Sequence, residues 1–275
     1  MVRKGWAVNL MLATRIITPS APLLSGPKAD APLDSECLFG ERFDIADGGV
    51  MPIDGFVFGT LGTDGYQGWV PRECLGDMPP PTAQIMVPMS DVTSAADIKS
   101  PGRFGLSLGA LVTVREITGD RAKIVTANGD GFLPCRHLLP LAADDNHLPA
   151  ADTKIDDWVG LGERLIGSPY KWGGRTAWGL DCSALVQLTL AAAGLDVPRD
   201  SGPQHKIGSP ISDLTALCRG DLVFWHGHVG IMQDDARLLH ANAHHMAVAS
   251  EPLDHAVERI ATIAGPVTAL RRPVI

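Results

Sequence analysis

One ending occurs twice in this chain, and it constrains the possible folds more than any other feature. Gly68-Trp69-Val70-Pro71 with Cys74-Leu75 is answered by Gly131-Phe132-Leu133-Pro134 with His137-Leu138. An internal repeat of this kind implies two copies of one small structural unit. Short apolar alternations broken by turn signals precede each ending. In the first copy, residues 36–45 predict a strand pair around a Gly40-Glu41 turn, and residues 55–61 predict another strand. Thr63-Asp64-Gly65 then predicts a tight turn leading into the Trp69 strand. In the second copy, residues 106–114 lead into a strand, residues 122–126 alternate, and Asn128-Gly129-Asp130-Gly131 supplies a turn. The 30 glycines and 21 prolines fit a chain with many turns between short strands. Two small β-barrels are therefore expected, over residues 1–78 and 79–142.

The shared G-[WF]-[VL] strand followed by a short turn of helix resembles the bacterial SH3-like domain. Residues 143–152 read as a linker, being polar, alanine-rich and marked by proline. Thr153 stands three before Asp156, a capping-box-like start. Ile155, Trp158, Val159, Gly162, Leu165 and Ile166 follow at helical spacing, so a helix is predicted to about 166, stopping at Gly167. A third domain is expected over 153–275.

Bulk properties exclude some classes of function. A net charge of −8 argues against nucleic acid as a main partner, because phosphate binding needs a basic surface. The five cysteines, at 37, 74, 135, 182 and 218, form no C-x-x-C pair, so neither a disulfide framework nor a zinc knuckle is expected. A reducing compartment is the simpler reading. The start, MVRKGWAVNLMLATRIITPS, has a basic beginning, but Asn9, Thr14 and Arg15 interrupt its apolar run, which makes a poor export signal. No stretch approaches the roughly 18 apolar residues of a membrane span. The expected location is the cytoplasm.

The chemistry concentrates late in the chain. Ser183 to Ala193 is an apolar helical run ending at Gly194, a natural cap. Cys182 therefore sits at a helix N-terminus, where the partial positive charge favours a thiolate. Residues 220–225 predict a strand, His226-Gly227 a turn, residues 228–232 a second strand and residues 237–241 a third. His228 can face Cys182 as its base, and His240 can bond the other ring nitrogen and fix its tautomer. Taken alone, a cysteine at a helix start is more often structural than catalytic, and His240 alone is more often a satisfied sheet histidine. His226 and His228 also suggest a metal pair. The turn between them opposes shared facing, and no H-E-x-x-H accompanies them, so no metal is expected.

The ordered motifs decide between these readings. Y-x-W-G-G (Tyr170, Trp172, Gly173, Gly174), D-C-S (Asp181, Cys182, Ser183), then residues 220–231 with His228, then L-x-H-A with His240 resemble the NlpC/P60 family. The resemblance implies an α+β fold: a papain-like catalytic domain, preceded here by two SH3-like β-barrels. It implies a thiol peptidase with Cys182, His228 and His240 as catalytic residues and no cofactor. It also implies a substrate class, the bond between γ-D-glutamate and a diamino acid in peptidoglycan stem peptides.

Members with two SH3-like domains act on free L-Ala-γ-D-Glu-diamino acid peptides during wall recycling. They need an exposed L-Ala amine. For that ammonium the resemblance offers Asp181, with Ser183, Tyr170 and Trp172 lining the site and Glu41 and Tyr66 reaching over from the first barrel. Two rival readings remain open: a wall-fragment binding module without activity, and an amidase or acyltransferase on the same fold.

Overall fold

The computed structural model describes residues 12–46, 52–141, 155 and 157–275. The start weighed as an export signal (through residue 11), the linker at 143–152 and the capping-box pair Thr153 and Asp156 lie outside the described residues.

Strands between Leu12 and Gly76 form one antiparallel sheet of seven, in the order Leu33–Leu38, Ser20–Leu24, Gln67–Pro71, Phe56–Leu61, Arg42–Ile45, Leu12–Ile16, Leu75–Gly76. It surrounds a core that includes Ile16, Leu23, Phe43, Leu61 and Val70. Strands between Ala83 and Pro140 form the second β-unit, a sheet of five and a sheet of three. The repeated ending is structural in both. Pro71 and Pro134, with φ of −57° and −65°, each open a single 3-10 turn, Arg72–Cys74 and Cys135–His137, before a final short strand.

One sequence expectation fails here. The strands on either side of Gly40-Glu41 do not pair with each other. Leu33–Leu38 pairs with Ser20–Leu24, whereas Arg42–Ile45 pairs with Leu12–Ile16 and Phe56–Leu61. The cause is a contact no local pattern encodes. Gly40, at φ +78°, presses its α-carbon against the Leu111 carbonyl of the second unit, so closely that a β-carbon would lie 2.0 Å from that oxygen. The turn thus serves as a junction between units.

The third domain packs a helix on each face of a six-stranded antiparallel sheet. The strand order is Ser209–Pro210, Ala269–Arg272, Leu222–Trp225, His228–Met232, Arg237–Asn242, Ala247–Pro252. The described residues contain four α-helices: α1 (Trp158–Glu163), α2 (Cys182–Ala192), α3 (Ser201–Gln204) and α4 (Leu253–Ala264). The first is shorter than the spacing predicts; turns follow it to Gly167, whose φ is +89°. Strand Leu222–Trp225 is buried along its whole length, and its period of two sorts the cores. Leu222 and Phe224 join Leu185, Val186 and Leu188 of α2, while Val223 and Trp225 join Ala256 and Ile260 of α4. Almost all of α2 is buried, so its apolar run is explained by burial and not by one wet face.

Three of these cores meet at one tripeptide. Cys37 lies in the core of the first unit, Leu38 in the core around α2, and Phe39 in the core of the second unit. All three are fully buried. Met86 and Leu108 of the second unit also pack into the α2 core.

Candidate active site

Helix α2 begins where Asp181 caps it. The Asp181 carboxylate accepts the Ala184 N–H at 2.9 Å, which fixes Cys182 as the first helical residue. Beneath the thiol runs strand His228–Met232, and the backbone N–H groups of Val229 and Ser183 bond to its sulfur. His228 opens that strand, half-buried, directly after the His226-Gly227 turn, in which Gly227 takes φ +71°.

Behind His228 lies a relay. Its Nε2 is 2.8 Å from Nδ1 of His240, and Nε2 of His240 is 2.7 Å from Oε1 of Glu251. The register explains the last step: His240 stands opposite Ala249, so Glu251 is the diagonal neighbour two residues on, on the same face. The carboxylate sets the tautomers. Burial works against its charge, but the hydrogen bond and charge of His240 and the guanidinium of Arg259 hold Glu251 down to about 2. An ionised Glu251 only accepts, so His240 donates from Nε2 and accepts at Nδ1. His228 must then donate from Nε2, which leaves the lone pair on Nδ1 for the thiol proton.

The charges differ from the sequence expectation. Burial pushes the Cys182 thiol up to about 12, and the neighbouring charge of Asp181 adds to it, against the two backbone N–H groups. Burial likewise pulls His228 down to about 3, helped by His240 and Arg259. Burial thus favours the uncharged form of both groups. The favourable helix terminus is present, but desolvation outweighs it.

Two hollows meet at this pair. A cleft of about 290 Å³ is lined by Asp34 and Tyr66 of the first unit together with Trp172, Asp181, Cys182, Ser183, Asp200, Ser201 and Gly227. On the other side of Gly227, His228 lines a second groove, of about 400 Å³.

The residues singled out from sequence distribute unevenly between contact and support. Cys182, Ser183, Asp181, Trp172 and Tyr66 all border the cleft. Trp172 stands 71% exposed at its rim. Tyr170 is half-buried near Cys182 and Asp181, and burial followed by those two charges pushes its phenol up to about 12. Asp181 is engaged in full. It accepts from Gly173 N (2.9 Å), Ser183 Oγ (3.1 Å) and Ala184 N (2.9 Å), and pairs with both terminal nitrogens of the buried Arg199 at 2.9 and 2.7 Å. Its place is that of a cap and a buried ion pair.

Glu41 does not reach the cleft. It is 2% exposed and accepts from Leu38 N, Thr63 Oγ1 and both terminal nitrogens of Arg175. A buried guanidinium from the catalytic domain holds it, so it fastens the two domains. Asp34, seven positions upstream on the Leu33–Leu38 strand, reaches the cleft in its stead.

Sequence reasoning missed Asp34, Arg199, Asp200 and Glu251. Arg199-Asp200 follows Val197-Pro198 in a loop with no regular period, just ahead of α3, and Asp34 sits on a strand that pairs with Ser20–Leu24 and not across the Gly40-Glu41 turn. Glu251 was findable, since the hairpin register puts it on the face of His240.

His226 and His228 line one groove together, contrary to the expectation from the turn between them. Among the described residues, a different group brings three metal-type ligand atoms within 4.8 Å of one another, that of His240, His245 and Glu251. Both nitrogens of His240 are engaged there, and Arg259 also bonds Glu251, so a cation would meet a guanidinium.

A thiol at a helix start, an imidazole with its lone pair directed by a histidine–carboxylate relay, and backbone donors at the sulfur together make a site competent for nucleophilic acyl transfer. Residues 167–262 match the NlpC/P60 family, and residues 23–75 match the bacterial dipeptidyl-peptidase SH3 domain. The chain is thus a cysteine peptidase of the NlpC/P60 family with an SH3-type domain ahead of its catalytic domain.

It is similar to a gamma-D-glutamyl-L-lysine dipeptidyl-peptidase of Bacillus cereus, at 25% identity over 81% of this chain and 71% of the relative. It is also similar to one of Bacillus subtilis, at 28% identity over 64% of this chain and 60% of that relative. The fold matches the crystal structure of an NlpC/P60 family protein from Bacillus cereus with a TM-score of 0.78 and 19% identity, covering 96% of this chain and all of that one.

Proposed function

We propose that this peptidase hydrolyses the γ-D-glutamyl–diamino acid bond of free peptidoglycan stem peptides that begin with L-Ala. One observation carries the reading. The cleft beside Cys182 is acidic and walled at one end by the first β-unit, through Asp34 and Tyr66. Two of its carboxylates, Asp34 and Asp200, form no ion pair among the described residues. Arg199 is engaged by Asp181, and Asp200 is pushed up by burial although Arg199 and the Tyr66 hydroxyl bear on it. A ligand ammonium supplies the missing charge. The names of the two Bacillus relatives support the choice of peptide.

In the first step the Cys182 thiol passes its proton to Nδ1 of His228 as sulfur attacks the γ-carbonyl carbon of D-Glu. The backbone N–H of Cys182 helps hold the oxyanion. His240 and Glu251 stabilise the imidazolium that forms. His228 then gives the proton to the departing amine as the C–N bond breaks, leaving a thioester. A water, losing its proton to His228, attacks the thioester, and the thiol and a γ-carboxylate are released. Asp181 acts one step removed, by setting where α2 begins.

The amine requirement separates free peptides from intact wall, in which the L-Ala nitrogen is tied in an amide. Cleavage confined to free peptides fits wall-peptide recycling inside the cell. The test is incubation with L-Ala-γ-D-Glu-diaminopimelate and with its N-acetyl form, followed by mass spectrometry. Release of L-Ala-D-Glu from the free peptide alone is expected. Comparable turnover of the two forms would overturn the amine reading.

A further inference from the structure

The reacting pair straddles a ridge. Cys182 lines the acidic cleft, His228 lines the groove beyond, and Gly227 borders both. A carbonyl attacked by Cys182 must therefore keep its acyl portion in the cleft. The nitrogen protonated by His228 must lie toward the groove. That groove has a definite chemistry. Its polar walls are His226, Asn242, His244 and Arg259, and Ile260 and Ile263 of α4 give it an apolar side. None of its lining residues carries an acidic side chain. Arg259 is about one quarter exposed, and its side chain's one hydrogen bond among the described residues runs from Nη2 to Glu251.

We infer that this groove is the leaving-group subsite, and that Arg259 reads a carboxylate on the amino acid released. The inference rests on the substrate reading above and deepens it. The cleft is acidic and takes the ammonium end; the groove is basic and takes an anionic end. The two hollows thus have opposite polarity along one substrate. A diamino acid at the C-terminus presents its α-carboxylate to Arg259 and lays its methylenes along Ile260 and Ile263. A further residue attached there, or an amide cap, removes that charge. The enzyme is then selective for tripeptides with a free C-terminal diamino acid.

Two peptides test this: L-Ala-γ-D-Glu-L-Lys and its C-terminal carboxamide. The free acid is expected to be cleaved with a kcat/KM at least about tenfold higher, the scale of one charge-assisted hydrogen bond. Arg259 also touches Glu251, so Arg259→Gln can slow both peptides through the relay; the ratio between them is the readout. It should collapse toward one in Arg259→Gln and be retained in large part in Arg259→Lys. Ile263 is 85% exposed and outside the relay, so Ile263→Glu tests the groove without risk to the fold. It should lower kcat/KM for both peptides, and several-fold further for the acid, because the introduced carboxylate repels the one on the substrate. Equal rates on the two peptides in the wild type, or an unchanged ratio in Arg259→Gln, would overturn the assignment and leave the substrate reading standing. Cleavage of neither peptide would defeat both.

Discussion

The two β-units end on the same strand and 3-10 turn, yet they meet the catalytic domain by different means. The first seats Leu38 in the α2 core and adds a charged grip. Glu41 pairs with Arg175, Glu36 bonds Arg175 and Lys171, and Asp64 accepts from Gln187. Its Asp34 and Tyr66 enter the cleft. The second unit grips with shape. Met86 and Leu108 enter the α2 core, Gly109 packs against Leu188, and one hydrogen bond joins Ala177 N to Ser107 Oγ at 2.8 Å. None of its described residues lines the cleft. The two units therefore divide their labour. The framework is shared, and function resides in which strand face and which loop point at the neighbour.

The largest expected effect belongs to neither unit and sets the baseline. Cys182→Ala and His228→Ala should each lower turnover of the free peptide by at least about a thousandfold, with the double variant little worse, because the pair acts together. Thermal unfolding should barely change. A substantial residual rate in Cys182→Ala would remove it as nucleophile. In the wild type, the acid limb of kcat/KM should fall well below the ordinary histidine range of about 6.5. Burial lowers His228 to about 3, so the unprotonated base survives acidification and is lost only further down. A limb near ordinary histidine would show that water reaches the pair.

The charged junction comes next. Glu41→Ala strands the buried Arg175 guanidinium, and about 3 kcal/mol or more of stability should be lost in denaturant unfolding. A loss below about 1 kcal/mol would place the strength of that junction in its other contacts. Smaller in free energy, but selective, is Tyr66→Phe. The Tyr66 hydroxyl bonds Asp200, and its removal should raise KM for the free-amine peptide about tenfold without moving the unfolding midpoint. Unchanged KM would detach the first unit from recognition. The smallest effect is expected at the shape-based junction, where Ser107→Ala should cost about 1 kcal/mol and leave KM alone. A KM effect there would erase the division between the units.

The placement of Cys182, His228 and His240 was legible because these residues sit in ordered local patterns. Cys182 at the start of an apolar run, His228 after a Gly turn and His240 on the next strand each carry their position in the adjoining sequence. Three of the six strands of the third-domain sheet, Leu222–Trp225, His228–Met232 and Arg237–Asn242, followed from the same alternations. What stayed hidden depends on contacts far apart in the chain. Gly40-Glu41 looks like a hairpin turn until Leu111 and Arg175 arrive from other units. Asp34 and Asp200 carry no motif, and Arg199 shows its use only once folding sets it against Asp181. The thiol's raised value was hidden for the same reason: the helix terminus is local, while the burial that outweighs it comes from the sheet.

Three adjoining side chains at Cys37, Leu38 and Phe39 are each buried in a separate core. Drawing any one core apart pulls on the same short length of backbone, so the three are expected to melt together. Boundaries that look like domain borders along the chain are then not places where it can be divided. A fragment beginning after the first unit would lack the phenyl ring that fills the second unit. A fragment ending there would carry Leu38 and Phe39 into water. The unit that supplies part of the peptide-binding cleft is also a folding partner of the enzyme, and losing it forfeits stability and recognition at once.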